Sequence, residues 1–290
     1  MKKILLTGKE GQVGWELQRT LAPLGQVIAF DRHSLDLANG ALLVQTIRDI
    51  KPALIVNAAA YTAVDKAESE PELAFAINGV APGILAEEAK RLHVPLIHYS
   101  TDYVFNGRSK TPYDENDQTA PLNVYGQSKL AGEQAIQAVS GSHLILRTSW
   151  VYGARGKNFL LTMLRLAAER EALKIVGDQQ GAPTWSRLIA QATAQIAALG
   201  NRDLGLYNGI YHLAAAGKTN WCEFAEAIFK HYVKEGVRIP QLTRIATEEY
   251  PLPAQRPRYS VLAQDKVQNA FGVKMPDWED ALKLCLQELR

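Results

Sequence analysis

Residues Lys2 to Gly14 read KKILLTGKEGQVG, and the fold turns on how this stretch is parsed. Lys2 to Thr7 is short and rich in apolar residues, the pattern of a strand covered on both faces. It runs straight into glycines at Gly8, Gly11 and Gly14, and from Val13 the sequence VGWELQRTLAPL reads as a helix. A strand, a glycine-rich turn and a helix in immediate succession let backbone approach a pyrophosphate and aim a helix N-terminus at its charge. The spacing is GxxGxxG, unlike the GxGxxG of the standard dinucleotide fingerprint. The turn alone therefore leaves a ligand-free role open.

Working outward, QVIAF ending at Phe30 is a second strand and Asn39 to Ile50 a second helix. ALIVNAA from Ala53 is a third strand, followed by one long helix over PELAFAINGVAPGILAEEAKRL. PLIHYST and then HLILRTS at His143 to Ser149 supply further strands. Apolar strands alternating with helices predict an α/β fold with a doubly wound parallel sheet. The second half is less regular. TWSRLIAQATAQIAAL from Thr184 reads as a helix, GIYHLA from Gly209 as a strand, and Trp221 to Glu235 and the C-terminus as helices. Between them YPLPAQRPR, Tyr250 to Arg258, carries three prolines and predicts an extended loop.

Composition narrows the function classes. Apolar content of 47% and charged content of 21% over 290 residues are those of an ordinary globular protein with a large core. A net charge of +2 with no long basic run gives little support to binding nucleic acid or a membrane surface. The apolar run Ile4-Leu5-Leu6 is too short for a signal peptide, and no apolar run reaches spanning length. Cys222 and Cys285 have neither metal-type spacing nor a framework, so they read as buried free thiols and the protein as cytoplasmic.

Asp31 strengthens the dinucleotide reading, because an acid ending the second strand is placed to bond adenosine ribose hydroxyls. Arg32 beside it, helped by Lys9 in the turn, could instead face a 2′-phosphate; both are equally consistent with solvated surface charges. The expectation is use of either NADH or NADPH.

The glycine turn, Asp31, NAAAYTAVDKAE from Asn57 and a Tyr125-Gly-Gln-Ser-Lys129 motif follow in that order. The chain thereby resembles the extended short-chain dehydrogenase/reductase family, whose dinucleotide-binding part is a Rossmann sheet. STDYVFNG at Ser100, PLNVYGQSKLAGE at Pro121, RTSWVYG at Arg147, GDQQGAPT at Gly177 and RPRYSVL at Arg256 extend the likeness over nearly the whole chain. They point to a branch that reduces a 4-keto-6-deoxyhexose carried on dTDP. Tyr125 and Lys129, one helical turn apart, share a helix face. A free phenol has a pKa of about 10, and a lysine cation with an oxidised nicotinamide would favour its phenolate. The resemblance implies that Tyr125 donates a proton to the substrate carbonyl oxygen, that Lys129 also bonds the nicotinamide ribose, and that Thr101 assists at the same oxygen. It carries further cofactor contacts onto Gly11, Gln12 and Val13, onto Asp36 and Leu37, and onto Ala60, Tyr61 and Thr62; Asp36 is equally readable as a helix N-cap.

Asp102 and Tyr103 separate relatives. Dehydratases of this family carry an Asp-Glu pair after the threonine, and Tyr103 stands where that glutamate would fall. Asp102 is then expected to hold sugar hydroxyls, or merely to cap a turn. Trp150 is placed at the substrate by the resemblance, and Arg256, amid prolines, is suited to clamp a diphosphate. The expected division is residues 1–150 for the dinucleotide, with 184–214 returning to that unit, and 151–290 mainly as a sugar-nucleotide lobe. The alternatives are an epimerase that retains NAD and a non-catalytic subunit that keeps the dinucleotide pocket. A monomer or homodimer is expected. Some family members are metal-linked dimers, but this sequence offers Mg²⁺ only scattered acids such as Glu16.

Overall fold

The computed structural model describes residues 1–199, 204–232 and 239–289. Six parallel strands form its central sheet: β1 (Lys3–Thr7), β2 (Gln26–Phe30), β3 (Leu54–Asn57), β4 (Leu96–Thr101), β5 (His143–Thr148) and Gly209–His212. In space β1 lies between β2 and β3, with β4, β5 and Gly209–His212 following outward from β3. Chain order reverses at β1, so the crevice beyond its carboxyl end is where an open sheet of this kind receives a ligand.

Side chains alternate between two buried layers, as strand geometry requires. Ile4 and Leu6 pack with Leu17, Ile97, Ile189 and Ile196 on one face, whereas Leu5 packs with Leu43, Ile47, Ile55 and Leu85 on the other. The first layer is closed by helices α1 (Gln12–Thr20) and Ser186–Leu199, the second by α2 (Gly40–Ile50) and α3 (Ala81–Leu92). Val267 and Phe271, near the C-terminus, also join the first layer. A separate core gathers Leu160, Met163, Trp185, Phe224, Ile228 and Leu282. Beside it lies a parallel pair of strands that the apolar pattern did not predict, Ala172–Val176 with Gln241–Ile245. Arg244 interrupts the alternation of the second, whereas the first, with Lys174 exposed between buried Leu173 and Ile175, alternates over too short a run to stand out.

Three expectations need adjustment. The long helix over Pro71 to Leu92 contains a π-helical turn at Ala76–Val80. Pro82 has no N–H to give the Asn78 carbonyl four residues back, and the widened turn accommodates that loss. The helix expected from Thr184 starts at Ser186, because Thr184–Trp185 pairs instead with Val151–Tyr152. The helix expected from Trp221 to Glu235 runs Trp221–His231, and Glu235 lies outside the described residues. Both cysteines are buried and unbridged. Among the described residues no helix is long and apolar enough to cross a membrane.

Candidate active site

The glycine turn is set by contact as well as by backbone angle. Gly8 has φ 76°, and a Cβ there would lie 2.7 Å from the Ala59 nitrogen. A Cβ on Gly14 would come 2.0 Å from the Gly8 carbonyl oxygen. Neither position admits a side chain, so β1 and α1 are held close. Gly11 precedes α1 without a side-chain cap, leaving the first amides of the helix facing the crevice. The crevice has a volume of about 520 Å³, and Gly8, Gly11, Gln12 and Val13 form its floor. Asp31, Arg32, Asp36, Leu37, Ala60, Thr62, Tyr125 and Lys129 line it as well. Gly14 supports the turn from behind. Tyr61 is set by its neighbours: its N–H donates to Asn78 Oδ1 at 2.8 Å and its hydroxyl to Glu70 at 2.7 Å.

Asp31 is ion-paired to Lys9 at 2.9 Å and accepts the Ser34 amide at 2.8 Å, and these bonds hold its carboxyl well below the usual range. Its negative charge is therefore offset within the site. Asp36 is not the N-cap of α2. That role belongs to Asn39, whose side chain accepts from Leu42 N at 3.0 Å, while Asp36 Oδ1 accepts from Ala38 N in the preceding turn.

Helix α4 (Val124–Val139) presents Tyr125 and Lys129 toward the same crevice. Asn123 caps it by accepting from Gly126 N at 2.8 Å. A Cβ on Gly126 would lie 2.3 Å from the Tyr103 carbonyl oxygen, and one on Gly132 only 2.1 Å from that of Asn78. These two glycines let the helix press against the end of β4 and against the π turn. Burial pushes the Tyr125 phenol up to about 12, with the Thr101 hydroxyl pulling the other way and Asp102 adding to the rise. The expected stabilisation of phenolate by Lys129 is not what this arrangement gives. Lys129 Nζ donates to the Tyr99 carbonyl at 2.6 Å and lies 3.2 Å from His98 Nε2, and burial pushes its ammonium down to about 8. A phenol that keeps its proton is the form needed in a donor.

Thr101 ends β4, and its Oγ1 accepts from Tyr103 N at 3.2 Å while facing Asp102 Oδ1 at 3.1 Å. Thr101 is thus the cap of the 3₁₀ turn Asp102–Val104, the role that had been open for Asp102. Asp102 is 2% exposed, and burial pushes it up to about 7, with the Ser260 and Thr101 hydroxyls pulling the other way.

Trp150 and Arg256 depart from the simplest expectation. Trp150 has φ 45°, unusual for a bulky residue, and stacks on Trp221 at 3.6 Å between centroids and 7° between planes. It is Trp221 that lines a second cavity of about 860 Å³, along with Phe159, Gln179, Tyr250 and Arg256. Trp221 Nε1 donates to Gln179 Oε1 at 3.1 Å, and Gln179 donates onward to Thr247. Arg256 reaches this cavity with its fork already taken by Asp65, at 2.9 and 2.7 Å, so a diphosphate would have to share it. Sequence reasoning missed Trp221, Gln179 and Asn78. The last is 1% exposed and joins the Tyr61 backbone to Ser128. Gln179 lies in the GDQQGAPT stretch at Gly177, but nothing in that stretch singles it out, and Trp221 and Asn78 sit in no motif with a chemical spacing.

The residues around Glu16 do not fit a divalent ion. Arg187 meets Glu16 at 3.3 Å and also pairs with Glu288, so a guanidinium already occupies the position between these acids. Among the described residues no group of three or more His, Cys, Asp or Glu is placed to hold a metal.

Over residues 1–290 the sequence matches the family described as the RmlD substrate binding domain. It is 50% identical over 294 residues to a dTDP-4-dehydrorhamnose reductase of Escherichia coli K12, covering 99% of this chain and 97% of that protein. It is 49% identical over 294 residues to a dTDP-4-dehydrorhamnose reductase of Burkholderia thailandensis, covering 99% of each. A crystal structure of a dTDP-4-dehydrorhamnose reductase from Bacillus anthracis, in complex with NADP, superposes with a TM-score of 0.91 at 36% identity, covering 99% of this chain and 100% of that one. The chain belongs to the RmlD substrate-binding family, within the extended short-chain dehydrogenases/reductases.

Proposed function

We propose that this protein catalyses the NAD(P)H-dependent reduction of the 4-keto group of dTDP-4-dehydro-L-rhamnose to dTDP-L-rhamnose. The observation that carries the reading is the placement of Tyr125 and Lys129 in one crevice with the glycine turn of β1. The dinucleotide fits that crevice on steric grounds, since the contacts of Gly8 and Gly14 keep side chains out of the turn. Gly11, Gln12 and Val13 hold its pyrophosphate at the N-terminus of α1. Asp31, Arg32, Asp36 and Leu37 hold its adenosine end, and Ala60, Tyr61 and Thr62 the stretch between. When bound, the nicotinamide supplies the hydride.

The chain's own residues do the rest. Thr101 and Tyr125 converge on the carbonyl oxygen, and Tyr125 transfers its phenolic proton there as negative charge develops. Lys129 holds the nicotinamide ribose with the donor not committed to Tyr99. Asp102, buried at the end of β4, orients sugar hydroxyls. The stacked Trp150 and Trp221 give the deoxysugar or its nucleotide an apolar wall, and Arg256, braced by Asp65, faces the diphosphate. In this reading residues 1–150 with 184–214 bind the dinucleotide, 151–290 mainly bind the sugar nucleotide, and the enzyme works in the cytoplasm.

The test is NADPH and NADH oxidation by the purified protein with dTDP-4-keto-6-deoxyhexose, and with UDP and GDP analogues. One cofactor consumed per sugar reduced is expected, whereas an epimerase consumes none and an inactive subunit gives no reaction. Because Lys9 offsets Asp31, both cofactors are expected to serve. A kcat/KM ratio between them above roughly a thousandfold, worth about 4 kcal/mol, would contradict that.

A further inference from the structure

Behind Lys129 runs a buried chain of polar side chains for which the proposed reaction has no use. His98 on β4 is 1% exposed and lies with Nε2 3.2 Å from Lys129 Nζ. Its other ring nitrogen, Nδ1, is 2.9 Å from Asn57 Nδ2 on β3, and Asn57 Oδ1 accepts from Thr7 Oγ1 at 2.6 Å. Thr7 ends β1 next to Gly8, and its Oγ1 also accepts the Ala59 amide at 3.3 Å. The chain thus crosses three adjacent strands, from the dinucleotide turn to the lysine.

One polarity satisfies Thr7, Asn57 and the His98 Nδ1 together, and it opposes an ammonium at Lys129. With Asn57 Oδ1 toward Thr7, the hydroxyl proton has an acceptor and Asn57 Nδ2 donates to His98 Nδ1. That leaves the imidazole proton on Nε2, pointing at Lys129 Nζ, which can receive it only as a neutral amine. Reversing the amide would let His98 accept from an ammonium, but Thr7 would lose the only acceptor its hydroxyl has among the described residues. A buried hydroxyl left without an acceptor is destabilising. Burial also holds His98 well below its ordinary pKa, so the ring is neutral and the question is one of tautomer.

We propose that His98 is a positioning residue that sets the charge of Lys129 through its tautomer, and that Asn57 and Thr7 fix that tautomer. Of the other groups near Lys129, Glu133 acts in the opposite direction, its charge favouring the ammonium. On its own helix, Glu133 is bonded to Arg147 of β5 at 2.9 and 2.7 Å, and Tyr125 is a neutral phenol. From β4 the Tyr99 carbonyl accepts from either charge state, while the Tyr99 hydroxyl is turned away to Thr193. The effect on catalysis rests on the reading of Lys129 given above; the tautomer does not.

Nitrogen-15 NMR of the full-length protein, resolving the His98 ring nitrogens at about pH 9, above the Lys129 titration at about 8, is expected to find the proton on Nε2. A proton on Nδ1 would overturn the proposal, and this result needs no variant and no substrate. Asn57→Leu frees the ring to present an acceptor to Lys129, although Asn57 does not touch it. His98→Gln can turn a carbonyl to the ammonium. Both are expected to raise the Lys129 titration, followed by its Cε carbon shift, by on the order of half a pH unit or more, about 0.7 kcal/mol. The alkaline limb of kcat should move with it. An unchanged Lys129 titration in a folded Asn57→Leu protein would overturn the coupling. If the titration moves while no sugar is reduced, the coupling stands and the proposed reaction fails.

Discussion

The dinucleotide crevice and the sugar-side cavity solve the same problem, holding a flexible ligand still, by opposite means. The crevice is built from short pieces with locally set backbone. The Gly8 turn, the Asn123 cap of α4 and the Thr101 turn after β4 each form among near neighbours, and glycines then seat them against Ala59, Tyr103 and Asn78. The cavity is built from distant pieces: Trp150 leans on Trp221, Gln179 reaches Thr247, and Arg256 is braced by Asp65 across 191 residues. Rigid local geometry suits a ligand part common to many enzymes, and long-range assembly leaves the other side free to vary with the substrate.

If the crevice holds the chemistry, Tyr125→Phe has the largest effect. Loss of a general acid is expected to lower kcat by about 10²–10⁴-fold, with dinucleotide affinity little changed when measured by fluorescence titration. The next effect concerns the scaffold of the crevice. Arg147 and Glu133 are 2% and 1% exposed, so Glu133→Leu strands a buried guanidinium and should cost about 3–5 kcal/mol in urea unfolding. The exposed pair Arg165–Glu169 in the lobe should show a coupling of less than about 1 kcal/mol in the same assay. On the cavity side, Trp221→Ala removes the stack under Trp150. KM for the sugar nucleotide should rise about tenfold, worth about 1.4 kcal/mol, while KM for NADPH stays put. A change in the NADPH value instead would erase the division between the two regions.

The last effect is on stability against pH. Burial raises Asp102 in the folded protein to about 7 from an ordinary 3.8. The folded state therefore binds the proton more tightly, and the advantage present below pH 3.8 is lost as pH rises through about 7. Asp102→Asn should raise Tm at pH 8 by on the order of 10 °C, from about 4 kcal/mol at about 2–4 °C for each kcal/mol. Near pH 3.5 the two proteins should melt together.

The same contrast explains what could be read from sequence. The parallel sheet was legible because β1, β3 and β4 are apolar runs followed by turn residues whose chemistry is local. Tyr125 and Lys129 could be placed together because one helical turn relates them. The π turn before Pro82 was not legible as such, since a missing N–H says which bond is lost but not how the backbone compensates. Trp221 behind Trp150, Asp65 on Arg256 and His98 on Lys129 are side chains from separate segments meeting in space. Only the packing of the finished fold decides those meetings. The reversed pKa balance at Tyr125 has the same origin, because burial is a property of the assembled core.

The central claim is tested most directly by hydride tracing. The protein would be given NADPH deuterated at the transferring position of C4 of the nicotinamide, with dTDP-4-keto-6-deoxyhexose, and the sugar product analysed by mass spectrometry and proton NMR. The account predicts one deuterium at sugar C4 for each dinucleotide oxidised, formed far more slowly by Tyr125→Phe. Product without deuterium at C4, or an unchanged rate in that variant, would contradict it.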